Sequence, residues 1–174
     1  IYDVTVRHVS GRLTDHYDPR SKTVNLSDAV YGSTSIAAIG VAAHECGHAI
    51  QHNINYAPLN IRSAIVPVAN IGSSLSWPIF LLGLIFSIPA LTTVGIVLFS
   101  LAVLFQLVTL PVEFNASSRA LKMLESTGIL SREENKGAKK VLTAAALTYV
   151  AALASSILQL LRLLILSGGR RRDD

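Results

Sequence analysis

The sequence predicts a mainly α-helical integral membrane protein with a small antiparallel β-hairpin near its N-terminus. Three observations lead there. Residues 63–112 contain no Asp, Glu, Lys, Arg or His. Only 15% of the 174 residues are charged while 51% are hydrophobic, whereas soluble domains average about 25% charged. The third is "VAAHECGHAIQH", Val41–His52, an apolar stretch that places two histidines four residues apart on one face of a helix.

The polar part comes first. "YDVTVRHV" alternates like a strand, and "RLTDHYDPRSKTVNLS" reads as a hairpin with Asp18-Pro19-Arg20-Ser21 as its turn. Ser33, Thr34 or Ser35 can cap the next helix, expected over about 36–52 and stopped by Asn53, Asn55 and Pro58. Its face carries Gly40, Ala43, His44, Gly47 and His48, so a neighbouring helix can come close. Fifty helical residues reach about 75 Å and one membrane span needs about 30 Å. The charge-free run therefore holds two spans, about 65–88 and 91–110, broken near Pro89 and joined as an antiparallel hairpin. Buried core helices are the alternative, but they seldom need so long a charge-free run. Residues 113–126 read as a short amphipathic helix stopped by Gly128, with "SREENKGAKK" as a polar loop. Val141–Leu161 is again charge-free, and a third span over about 141–167 would have to accommodate Arg162 by snorkelling or pairing. The expected organisation is one membrane domain over 1–174, divided as 1–62, 63–112, 113–140 and 141–167.

The net charge of +4 could suggest nucleic acid, but the cations flank apolar runs, which points to the lipid bilayer and membrane topology instead. Cys46 is the one cysteine, so no internal disulfide can form. A start at Ile1 reads as a processed or trimmed piece of a longer protein, with no signal-peptide pattern inside it.

His44 and His48 with Glu45 make an H-E-x-x-H motif. Two imidazoles one turn apart can hold one zinc ion. Glu45, rotated about 100° from His44, need not compete as a ligand and can act as general base toward a zinc-activated water. The bland alternative is a polar face that meets water. It fits poorly, because the helix is otherwise apolar and an unpaired glutamate with two histidines would be costly in a core. His52 continues the spacing, but residues eight apart lie about 12 Å apart along a helix, so it reads as a helix-end residue suited to the dipole. His8 and His16 read as structural or surface residues, with His16 a lesser candidate for a substrate cleft, and Cys46 as packing.

Two histidines need a third ligand. The downstream carboxylates are Glu113, Glu125, Glu133, Glu134, Asp173 and Asp174. Five have polar surroundings where solvation explains them. Glu113 ends an apolar span in "TLPVEFNASSRALKML" and shares a face with Ser117, Ala120 and Leu124, so it wants a cation or a metal. Pairing with Arg119 and snorkelling to the membrane surface are the competing explanations, though residues six apart do not share a face well.

"AAHECGHAIQH" and "LPVEFNASSRALKMLE", with "LTDHYDPRSKTVNLS" and "ALTYVAAL", resemble the YugP-like neutral zinc metallopeptidases of bacterial membranes over nearly the whole chain. The resemblance implies a multi-pass protein of the bacterial cell membrane with a zincin-like H-E-x-x-H helix. It also implies an N-terminal membrane segment ahead of Ile1. A wider similarity links it to gluzincin membrane proteases of the HtpX and CAAX-protease type, which follow H-E-x-x-H with an E-F-x-A-D pattern. Carried over, His44, His48 and Glu113 are zinc ligands and Glu45 is the base. The chain departs at Ser117, where the wider group has an aspartate that orients a ligand histidine.

The expected function is thus a zinc-dependent membrane endopeptidase acting on a peptide or protein substrate, a membrane protein among the candidates. A non-catalytic zinc-containing scaffold or assembly factor is the alternative. Tyr149 and Arg119 are candidates for stabilising the oxyanion, with packing as the other explanation of each. The hairpin at 12–27 is a candidate for binding an extended substrate by strand addition.

Overall fold

The structure, a computed structural model, describes residues 1–169. Arg170, Arg171, Arg172, Asp173 and Asp174 of the basic tail lie outside the described residues. The element order is β1 (Thr5–His8), β2 (His16–Asp18), β3 (Thr23–Leu26), α1 (Ile36–Asn53), α2 (Ala57–Ile85), α3 (Pro89–Thr127) and α4 (Arg132–Gly169). The protein is mainly helical, and α2, α3 and α4 are each long and apolar enough to cross a membrane.

The chain divides into two compact units. The first comprises residues 1–59 and 111–148. Its sheet has the order β1-β3-β2, with β2 antiparallel and β1 parallel to β3. The β2–β3 pair is the expected hairpin. In its turn the Asp18 carboxylate accepts from the Arg20 N–H at 3.0 Å and from the Ser21 hydroxyl at 2.6 Å, which is how aspartate starts a turn. The third strand is β1, whose parallel pairing leaves no local signature in the sequence. Helix α1 starts at Ser35, whose hydroxyl accepts from the Ala38 N–H at 3.2 Å. A core of Ala43, Ala120, Leu124, Leu130, Ala138 and Leu142 joins α1 to the last turns of α3 and the first turns of α4.

Among the described residues, the second unit comprises 60–110 and 149–169. Here α2 and α3 run antiparallel at backbone contact. A Cβ on Gly72 would lie 2.6 Å from the Leu98 carbonyl oxygen, one on Gly83 2.5 Å from the Thr92 nitrogen, and one on Gly95 2.7 Å from Phe80. Small residues permit such approaches between membrane helices, where packing rather than water drives association.

Two helix boundaries differ from the sequence reading. "SREENKGAKK" is not a loop, because α4 begins at Arg132. The Ser131 hydroxyl accepts from the Glu134 N–H at 3.3 Å, and the Glu134 carboxylate accepts from the Ser131 N–H at 2.8 Å. This reciprocal capping box starts a helix despite the polar composition. Residues 113–126 are not a separate helix either, since α3 runs through Pro111 without interruption. The proline lacks one N–H, and the neighbouring turns carry the helix across. Gly128, at φ +65°, follows the end of α3, a conformation that glycine adopts at no steric cost.

Candidate metal centre

The first unit brings His44, His48 and Glu113 together, with one ligand-type atom from each lying within 4.8 Å of the others. Helix α1 supplies both histidines and α3 supplies the carboxylate. The two helices approach closely because Gly47 has no side chain: a Cβ there would lie 2.5 Å from the Ala116 carbonyl oxygen and 3.1 Å from its carbon. Glu113 is 3% exposed, and its Oε2 lies 3.2 Å from His44 Nε2 and 3.7 Å from His48 Nε2.

The outer nitrogens are held as well. His44 Nδ1 lies 3.1 Å from the Ser117 hydroxyl. His48 Nδ1 lies 3.0 Å from Gln51 Oε1. The amide of Gln51, fully buried, is oriented by its other end, where Nε2 donates to the Val112 carbonyl at 2.8 Å and to Asn115 Oδ1 at 3.0 Å. A carbonyl only accepts, so Gln51 Oε1 faces His48 as an acceptor and Nδ1 carries the ring proton. His48 Nε2 is then a lone pair aimed at a carboxylate oxygen. Two acceptors facing each other in a buried place call for a proton or a cation between them. The electrostatics agree. Burial pushes the His48 ring down, but the hydrogen bond to Glu113 and the charges of Glu113 and Glu45 outweigh it and raise the ring above its ordinary value.

This donor set fits zinc. Ligands at about 2.0–2.1 Å in a tetrahedron are about 3.3 Å apart, close to the 3.2 and 3.7 Å separations. Two nitrogens and one oxygen are also the donors of catalytic zinc sites that leave one position open.

Glu45 is buried and does not join the cluster of ligand-type atoms. Burial raises its carboxyl above the ordinary value, opposed by His48 and His44 and by the nearby backbone of Tyr17 on β2. A carboxyl raised in this way is better matched to taking and returning a proton near neutral pH.

Other candidates settle differently. Arg119 does not pair with Glu113: its Nε donates to Asn115 Oδ1 at 2.7 Å, and its guanidinium lies 6.0 Å from the Tyr56 ring centre. Tyr149 is 41% exposed and belongs to the second unit. His52 does more than end a helix, since Nδ1 lies 2.9 Å from the Tyr17 hydroxyl and ties α1 to β2. His16 is exposed, with its ring nitrogens near the Thr14 carbonyl and Asn25. His8 faces Asp28 at 2.6 Å. Gln51 and Asn115 are the residues that sequence reasoning missed. The signal for Gln51 was its place three residues after His48, on the same helix face.

The close approach at Gly47 yields a prediction. Gly47→Ala should destabilise the protein by about 1–3 kcal/mol, as overpacking does, and should weaken zinc binding because α1 must move off α3. Gly40→Ala is the control, since its Cβ would meet Ala138 at an ordinary 3.7 Å. Thermal unfolding and zinc content of both variants in detergent check this.

The fold and the cluster together define a helical membrane protein with a partly buried two-histidine, one-carboxylate cluster. Residues 1–168 match the family described as "Putative neutral zinc metallopeptidase", and the chain belongs to that family. It is 51% identical over 166 residues to "Putative membrane protease YugP" of Bacillus subtilis (strain 168), a match that covers 95% of this chain and 74% of that protein. No solved structure matches the chain.

Proposed function

We propose that this chain is a zinc-dependent membrane endopeptidase of the gluzincin type, with His44, His48 and Glu113 holding zinc and Glu45 acting as general base. The observation that carries the reading is the convergence of His44, His48 and Glu113 beside a buried Glu45 that stays outside the ligand cluster. When bound, zinc would supply Lewis acidity, polarising the scissile carbonyl and acidifying water at the open position. The Glu45 carboxylate takes the proton of the attacking water and passes it to the leaving amide nitrogen. Ser117 and Gln51 hold His44 and His48 with their Nε2 atoms toward Glu113. Both partners are neutral, so the hydroxyl of Ser117 stands where the wider group uses a carboxylate. Strand β2 is an edge of the sheet, and the backbone of its Tyr17 lies beside Glu45. An extended peptide added along that edge would run past the base.

The test measures zinc content and cleavage of an unfolded protein substrate on the same purified sample. About one zinc per chain, with cleavage lost on chelation and restored by zinc, is the expected result. Zinc retained without cleavage of any of a panel of unfolded soluble and membrane substrates would favour the scaffold.

We further propose that the protein is a multi-pass protein of the bacterial cell membrane with its catalytic side in the cytoplasm. Eleven Lys and Arg residues lie within 1–62 and 111–140, which a hairpin of spans returns to one side, against Arg162, Arg170, Arg171 and Arg172 at the other end. A cysteine placed at Ser126, exposed near the end of α3, in a variant lacking Cys46 should resist an impermeant thiol reagent on intact cells and react after lysis. Ready labelling from outside would reverse the orientation.

A further inference from the structure

Helix α4 shows two faces as it leaves its polar start. Ala138, Leu142 and Ala146 are buried, the first two in the core of the first unit. The opposite face carries Lys136, Lys139, Lys140, Thr143, Ala144 and Leu147, which line an open groove of about 470 Å³ almost wholly with apolar atoms, the lysines through their stems. All six are exposed. They follow the i, i+3, i+4, i+7 helical stripe, so cations sit directly above small and apolar side chains. Among the described residues Lys136 pairs with Glu133 at 2.7 Å, while Lys139 and Lys140 make no ion pair. The charge-free run begins immediately afterwards, at Val141. A second groove shares Lys136 and Lys139 and is also lined by Arg132 and Glu125.

We propose that this groove binds the headgroup of an anionic phospholipid, with its phosphate between Lys139 and Lys140 and its upper acyl chain along Ala144 and Leu147. Charge complementarity selects an anion, and the apolar lower wall selects one with a hydrocarbon attached. The position at the start of a membrane-spanning sequence puts both where a lipid offers them. An acidic peptide would satisfy the lysines but would leave Ala144 and Leu147 against water.

The experiment uses the full chain in nanodiscs of phosphatidylcholine with about 30% phosphatidylglycerol, followed by mass spectrometry of the lipid retained after gentle detergent extraction. The protein should retain phosphatidylglycerol in preference to phosphatidylcholine. A Lys139→Gln, Lys140→Gln variant should lose that preference by about fivefold per lysine. Lys139→Arg, Lys140→Arg should restore it, and Lys122→Gln on α3 should leave it unchanged. Circular dichroism of each variant reports the fold, and the arginine variant tests the charge should the glutamine variant misfold. Equal retention of the two lipids by the unaltered protein would overturn the proposal. So would an equal loss in the Lys122 variant, or an unchanged lipid preference in a folded glutamine variant, and lysine-dependent binding of a soluble acidic peptide in that case would point to a peptide instead.

Discussion

Glu45→Gln should leave about one zinc per chain and lower peptide cleavage by about 10²–10⁴-fold, the range that a positioned general base contributes. The substitution keeps the shape of a buried side chain. It removes the one property that the reading assigns to Glu45, the capacity to take a proton. The cluster of ligand-type atoms contains His44, His48 and Glu113 without it, so metal content should not follow activity. Zinc analysis beside single-turnover cleavage separates the two. Loss of zinc equal to that of His44→Ala would make Glu45 a ligand and sink the assignment.

Glu113→Ala should do the reverse, removing the metal first and the activity with it, while the far-ultraviolet circular dichroism of the helices stays close to that of the unaltered protein. Loss of an outer partner to a ligand, such as Ser117 to His44, costs about 10–100-fold in metal affinity. Loss of Glu113 should exceed that, because in the proposed ligand set it deletes one of three donors and the only negative one. Two flanking residues, Val112 and Ala116, are fully buried, so the alanine variant also leaves a small cavity. Glu113→Gln controls for this by keeping the volume without the charge, and its zinc affinity should still fall. Competition with a chelator of known strength provides the measurement, and unchanged affinity in both variants would remove Glu113 from the ligand set.

The features legible in the sequence are those that depend on neighbours along the chain. The spans follow from a run of fifty residues without charge, since transferring charge into hydrocarbon is costly wherever it occurs. The β2–β3 hairpin follows from Asp18-Pro19 turn chemistry, and the start of α1 from a capping serine. The Ser131–Glu134 capping box was equally local and equally visible. It was obscured by the polar composition around it, which says only that the first turns of α4 face water.

The sequence by itself determined that His44 and His48 share a helix face, that Glu45 turns away from it, and that Glu113 is a carboxylate in apolar surroundings. Tertiary structure alone decided that these meet. Glu113 is 69 residues from His44, and only the backbone contact that Gly47 allows against Ala116 brings their helices close enough. The same holds for the amide of Gln51, whose orientation depends on a carbonyl and a side chain more than sixty residues away, and for β1, which pairs in parallel with β3. Local stereochemistry and hydropathy act over a few residues, whereas the burial of polar atoms is resolved only by whatever partner the packed helices deliver.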